Sequence, residues 1–425
     1  MRAFEKVIGY ESIKSELMQI CDMLHNKSRY EFLGAKLPNG ALLYGAPGLG
    51  KSLLAKSFIE ESGLNFFTIR RNQGSDKFVE KITEVFEEAK QNAPCIIFLD
   101  DMDKFANEDD SHRDAKEYVA IQAGIDEVKD SGVFVLATVN DINKLPDSLL
   151  RCGRFDRKIE VLIPTQEDSY EIIKHFLKNK RISDHINLDD ITKMIRYNSC
   201  AELETVLNEA AINAGYAKRD SISMNDIIKA VLRMEYNSPD TYTKTSYEDL
   251  RKVAVHEAGH LVACEVLSPG SVGLSSIRAN SSGDKVGFIN KCKELDNRRH
   301  HIIVSLAGKV ATELYYSETC ANGCYSDIRK AYNEIRAGLA NNGTCGLGMI
   351  DISSWKFEMS ENMSARNEAV VHAELEKYMF KTRDILLKNK EFLEKTIEAL
   401  LEKETLLHSD IKAIRESVKI TSVAA

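Results

Sequence analysis

Two histidines four residues apart, with an acid beside the first, are the residues of this chain best equipped for chemistry. They form His256-Glu257-Ala258-Gly259-His260, inside an apolar, helix-compatible stretch at 253–266. On a helix, residues i and i+4 share a face, so both imidazoles reach one Zn²⁺ while Glu257 points toward water at the metal. That is the equipment of a zinc peptidase. A catalytic zinc that keeps a position open for water needs at least one further protein ligand. Residue type and spacing leave three sources open: Asp327, Glu313, and the pair His300 and His301.

A second set of residues handles phosphate. Gly45-Ala46-Pro47-Gly48-Leu49-Gly50-Lys51-Ser52 follows the short apolar run 41–44 and precedes a helical pattern at 53–60. Strand, glycine-rich loop and helix in that order are the context in which this pattern binds ATP. Loop N–H groups close around phosphate oxygens, Lys51 brings positive charge to the β- and γ-phosphates, and the Ser52 hydroxyl ligates Mg²⁺. The apolar run 95–99 ends in Asp100-Asp101-Met102-Asp103. Carboxylates at the C-terminal edge of a buried parallel strand face the nucleotide, which assigns Asp100 to Mg²⁺ through its waters and Asp101 to polarising the attacking water. A third apolar run, 133–139, ends in Asn140, a neutral side chain suited to orienting that water near the γ-phosphate. Arginines then crowd a turn at 149–157. Such residues ordinarily only solubilise a loop, but in an oligomeric ATPase they present an arginine finger to the neighbouring subunit.

The elements that must position these groups are legible from periodicity. The three apolar runs read as strands of a parallel sheet, and 170–178, 188–197, 201–217 and 224–234 have helical apolar spacing, with Ser223 as a start signal. Asn237-Ser238-Pro239-Asp240-Thr241 reads as turn chemistry between domains. Residues 302–316 and 329–337 read as helices, with the close pair Cys320 and Cys324 in the loop before the second. Residues 286–290 read as a strand, either internal or one to which an extended substrate adds by backbone pairing. The charged helices 368–401 and 409–414 carry Leu386, Leu387, Leu393, Ile397 and Leu400 as a buried stripe.

A length of 425 residues implies two to three domains, and 43% hydrophobic with 29% charged residues describes a globular chain. A net charge of -8 gives no electrostatic reason to expect nucleic acid. No apolar run approaches the roughly 18 residues of a membrane-spanning helix, and no signal peptide opens the chain. Nine cysteines, an odd number, fit reduced thiols, and the expected location is cytoplasmic.

The order of these motifs, and Leu150-Arg151-Cys152-Gly153-Arg154-Phe155-Asp156-Arg157 in particular, resembles an AAA ATPase module. The preceding Leu33-Gly34-Ala35-Lys36-Leu37-Pro38-Asn39-Gly40 is similar to the FtsH-type branch, the ATP-dependent zinc metalloproteases, and the similarity runs over residues 4–414. The resemblance implies an α/β AAA P-loop domain with a parallel sheet over 1–165, a helical lid over 166–238, and a mainly α-helical zinc metalloprotease domain over 239–425. It implies Arg151 and Arg154 as trans-acting fingers, Asn140 as the first sensor, and Ser199-Cys200-Ala201 beside the adenine, with Cys200 replacing the family's glycine. It makes Asp327, in Ser326-Asp327-Ile328 at a helix start, the third zinc ligand, and Glu313 the surviving member of an acidic pair. It further implies a homo-oligomeric ring, usually a hexamer, that uses ATP, Mg²⁺ and Zn²⁺ to degrade protein or peptide substrates.

Departures from the family bear on the motor. The transmembrane segments that usually precede the ATPase module are absent from the sequence, which implies a soluble ring. Asp101 replaces the usual glutamate and is shorter by a methylene. The segment expected to grip substrate reads 70–79 with Phe78 as its aromatic and no glycine after it, and 107–113 lacks the family's glycines. These departures support an alternative, a nucleotide-switched regulatory or remodelling ATPase with limited, non-processive peptidase activity.

Overall fold

The computed structural model describes residues 3–71, 75–106, 115–195, 197–238, 246–279, 286–295, 297–316, 321–342 and 361–422. The chain forms two compact units, Met1–Arg181 with Tyr197–Asn208, and Ile182–Arg196 with Glu209–Ala425. The first runs through α1 (Glu11–His25), α2 (Lys27–Phe32), β1 (Gly40–Tyr44), α3 (Lys51–Ser62), β2 (Asn65–Ile69), α4 (Ser75–Gln91), β3 (Cys95–Leu99), α5 (Ala115–Glu127), β4 (Val133–Val139), β5 (Arg157–Glu160) and α6 (Gln166–Leu177). Its strands pair in the order β2-β3-β4-β1-β5, every pair parallel.

All residues of β3 and β4 are buried, as a sheet covered on both faces requires. Leu17, Leu54, Phe58 and Phe134 pack together in one core cluster, and Phe78, Phe86 and Ile121 belong to another. Because the strands are parallel, β1, β3 and β4 end at one edge of the sheet, where a ligand of such a fold binds.

Phe78 differs from expectation. It lies on α4, fully buried, and meets Phe105 edge-on with ring centroids 5.2 Å apart. Core packing has claimed this aromatic, so it is not a substrate grip. Residues 107–113 lie outside the described residues.

The second unit takes in α7 (Leu188–Met194), the end of α8 (Cys200–Tyr216), α9 (Met224–Tyr236), α10 (Tyr247–Leu267), β6 (Val272–Ala279), β7 (Val286–Lys291), α11 (Arg298–Tyr316), α12 (Ala321–Asn342), α13 (Glu361–Lys388), α14 (Lys390–Lys403), β8 (Thr405–Leu407) and α15 (His408–Glu416). Helix α10 starts where Ser246 Oγ accepts the Asp249 N–H at 3.1 Å. It is buried almost all round from Ala254 to Val266, which makes it the centre of the unit. A Cβ at Gly259 would lie 2.5 Å from the Ala307 carbonyl oxygen, so α10 and α11 touch backbone to side. Strands β7, β6 and β8 form an antiparallel sheet in that order, which leaves β7 at an edge among the described residues. Leu386, Leu393, Ile397 and Leu400 are buried, whereas Leu387 is 52% exposed, because one residue along a helix turns the side chain by about 100°. Among the described residues no helix is long and apolar enough to cross a membrane.

Candidate functional site

The apolar faces of α10 and its neighbours bring three donors to one point. Nε2 of His256 and Nε2 of His260 are 3.1 Å apart, and Asp327 Oδ2 lies 3.2 Å from the first and 3.1 Å from the second. Ligand atoms ~2.1 Å from a tetrahedral Zn²⁺ are separated by ~3.4 Å, close to the sides of this triangle, so its size and donor types fit that ion. No other such group of metal-ligating side chains occurs among the described residues. Val304 O is 2.6 Å from His260 Nδ1, which donates to it and leaves Nε2 as the metal-facing lone pair. His256 hydrogen-bonds to the buried thiol of Cys324. Burial opposes charge on both imidazoles, but the Asp327 carboxylate outweighs it and raises both. Against the effect of its own burial, Asp327 is held well below the usual carboxylate range by the two histidines and by Lys330, 3.1 Å from Oδ1.

Glu257 lies buried beside these ligands, and burial pushes its carboxyl up. Of the other candidate ligands, Glu313 pairs with Lys309 and, at 3.8 Å, with Arg383, while His300 and His301 occupy the first turn of α11. None of these belongs to the metal-ligating group. Asp327 is not at a helix start as expected, since α12 begins at Ala321 and Cys324 stands within the helix, one turn before it. Cys320 lies outside the described residues.

The nucleotide residues gather at the sheet edge. Gly45, Gly48 and Gly50 have φ of 144°, 79° and 86°, left of where other residues are comfortable, and a Cβ at Gly45 would lie 2.2 Å from Val161 O. Ala46 and Pro47 are exposed, Leu49 is buried beneath the loop, and Lys51 Nζ donates to the carbonyls of Gly45 and Ala46 at 2.7 Å each. Burial lowers the Lys51 pKa. Ser52 Oγ and Thr138 Oγ1 each donate to Asp100 Oδ1 at 2.9 Å, which puts the two expected Mg²⁺ residues in contact. Asp100 Oδ2 also meets Arg70 at 3.1 Å. Asp101 sits at φ 55°, its carboxylate 2.6 Å from Lys104 Nζ. Asn140 follows directly on β4, half-buried. Ala201 N donates to Gly48 O at 3.1 Å, and Cys200 hydrogen-bonds Leu49 O at 3.9 Å and Tyr10 Oη at 3.5 Å, so this segment lies on the loop.

The two arginines of the turn differ. Arg154 makes a two-pronged pair with Asp126 at 3.0 and 2.6 Å and donates to Ser148 O, whereas Arg151 is exposed. Residue reading alone did not find Gly308, Gly287 or Val304 as parts of the metal site. A Cβ at Gly308 would lie 2.5 Å from His256 Cε1 and from His260 Nε2, and one at Gly287 would lie 2.5 Å from Glu257 Oε1. The available signal was a glycine in the middle of an apolar helix and another in a strand, each marking close approach.

Fold and sites together define a P-loop unit of the AAA class and a second unit that carries a His-His-Asp metal-ligand cluster. The family model described as ATPase family associated with various cellular activities (AAA) matches residues 41–162, and peptidase family M41 matches 243–414. The ATP-dependent zinc metalloprotease FtsH of Mycoplasma pneumoniae is 32% identical over 98% of this chain and 62% of its own length. FtsH of Streptobacillus moniliformis is 32% identical over 99% and 65%. FtsH 2 of Symbiobacterium thermophilum is 30% identical over 97% and 74%. The chain thus spans under two thirds of the first two relatives, and it belongs to the FtsH family.

Proposed function

We propose that the chain is an ATP-dependent zinc endopeptidase that couples ATP hydrolysis to degradation of protein substrates as a homo-oligomeric ring of six subunits. The observation that carries this reading is the convergence of His256, His260 and Asp327 within 3.2 Å, with Glu257 buried beside them. These three residues would hold the metal, and Zn²⁺ when bound supplies Lewis acidity to the scissile carbonyl and to water. Glu257 takes a proton from the attacking water and returns it to the leaving amine. The edge of β7 that has no strand partner among the described residues pairs with the extended substrate backbone.

On the ATPase side, Lys51 exchanges its two carbonyl partners for phosphate oxygens, and Ser52 and Asp100 hold Mg²⁺. Asp101 and Asn140 orient water, and Arg151 and Arg154 reach a neighbouring subunit's phosphate, Arg154 after leaving Asp126. The functional division is ATPase over 1–165, lid over 166–238 and peptidase over 239–425. The site of action is the cytoplasm.

The test is cleavage of a casein-like unfolded protein with and without ATP, repeated with Glu257→Gln. The variant is expected to lose cleavage and keep ATP hydrolysis; loss of both activities overturns the role given to Glu257. A second reading, a nucleotide-switched remodelling ATPase with limited peptidase activity, draws on Asp101 held by Lys104 and on the buried Phe78. Cleavage of folded and unfolded substrates at equal rates irrespective of ATP would favour it over the motor.

A further inference from the structure

Strand β7 lies between the proposed base and two helices that the sequence assigns to the lid. One face of the strand meets the lid. Tyr236, the last residue of α9, lies flat on Phe288, with ring centroids 3.9 Å apart and planes at 10°. Its side chain hydrogen-bonds to Asn290, and Asn290 Nδ2 in turn donates to Met194 O, at the end of α7, at 2.6 Å. Ser238, two residues beyond Tyr236, donates from Oγ to Ala279 O of the adjoining β6 at 2.7 Å. Phe288 and Asn290 are two apart and so share a strand face.

Gly287, the residue before Phe288, comes up against Glu257. Its φ is 83°, and a Cβ there would lie 2.5, 2.7 and 2.9 Å from Oε1, Cγ and Cδ of Glu257. The β6–β7 register shifts at this point, since Ser276 faces Phe288 but Ala279 faces Val286. Such an irregularity twists a strand locally and re-aims what it touches, and among the described residues β7 has a strand neighbour on one side only to resist displacement.

We propose that Tyr236 and Asn290 are positioning residues for the peptidase base: they fix β7 from the lid side, and through Gly287 they set where the Glu257 carboxylate stands. The proposal rests on the reading of Glu257 as the base. Neither residue belongs to the metal-ligating group of His256, His260 and Asp327. The stacked ring is the stronger part of the clamp, because it adds apolar contact that the hydrogen bond to Asn290 alone does not provide. A displacement of about 1 Å at a reacting group costs on the order of a hundredfold in rate, so a loosened strand registers in turnover before it registers in folding.

The experiment uses the full chain with zinc and a short fluorogenic peptide that needs no unfolding. Tyr236→Ala is expected to lower kcat by about tenfold or more with a smaller change in KM, while zinc content and ATP hydrolysis are retained. Tyr236→Phe, which keeps the stack, restores most of the loss. In zinc-free protein, Tyr236→Ala is expected to speed amide exchange at 286–291, a readout independent of turnover. In a Glu257→Gln background the Tyr236→Ala change is expected to have no further effect on residual cleavage, because the clamp acts through the base. An unchanged kcat in Tyr236→Ala, a loss carried wholly by KM, or a full additional loss in the Glu257→Gln background overturns the proposal. Undiminished cleavage by Glu257→Gln alone overturns the reading of the base instead.

Discussion

At the scale of single residues, the metal site is built as much by missing side chains as by ligands. His256 and His260 are held from below by α11, where Gly308 leaves room for two imidazole rings that a methyl group would strike at 2.5 Å. Alanine is a better helix former than glycine by about 1 kcal/mol, so Gly308→Ala is expected to leave the helix intact while displacing both rings. The expected outcome is loss of bound zinc and a fall of about a hundredfold or more in peptide cleavage, with ATP hydrolysis retained. Metal analysis of the purified variant decides it, and full zinc occupancy would mean that the rings move aside without cost.

At the scale of elements, the sequence was most informative where chemistry and local pattern coincide. The loop 45–52, the acids after β3 and the two histidines of α10 could be placed because each motif sits at the end or on the face of an element with its own periodicity. Elsewhere the deciding contacts are distant in sequence. Strand β8 has three residues and pairs with β6, with Leu274 opposite Leu407, so nothing local marks it as a strand. Helix α12 starts six residues before Asp327, in Ala321-Asn322-Gly323, whose asparagine and glycine are weak helix formers. Phe78 and Leu387 show the converse failure: a residue's type was clear, but only packing fixed which way it faced.

Helix α9 gives a pH-dependent test at the same scale. Its cap is Ser223, whose N–H donates to Asp226 at 2.9 Å, and Arg219 pairs with the same carboxylate. Burial would raise the Asp226 carboxyl, but Arg219 and Ser223 outweigh it and hold it at about 2. A carboxyl so depressed contributes stability that is present above its unfolded value near ~3.9 and lost as pH falls through the folded one. Asp226→Asn is therefore expected to cost about 1–2 kcal/mol near pH 6 and only about 0.4 kcal/mol near pH 2, where the carboxyl is half protonated. Thermal unfolding of both proteins across that range is the check, and a difference that persists unchanged at pH 2 would place the cost in packing instead.

At the scale of the whole molecule, two cores of different composition carry two ligand sites. Phe58 and Phe134 pack in the first unit beside the nucleotide loop, whereas Val255, Leu261 and Ile303 pack in the second around the metal-binding helix. A ligand stabilises only the structure it binds, by about 2.7 kcal/mol at a hundred times its dissociation constant. Mg²⁺ with a non-hydrolysable ATP analogue is expected to raise the unfolding temperature of the first unit. A chelator is expected to lower that of the second. Calorimetry alone cannot say which transition belongs to which unit, so the assignment comes from variants: Lys51→Ala should abolish the nucleotide shift and leave the chelator shift, and Asp327→Asn the reverse. The helix α8 begins in one unit and ends in the other, so each shift should also appear, reduced, in the partner transition. A single transition moved equally by both ligands would mean that the two cores unfold as one, and that loading of either site is felt in full at the other.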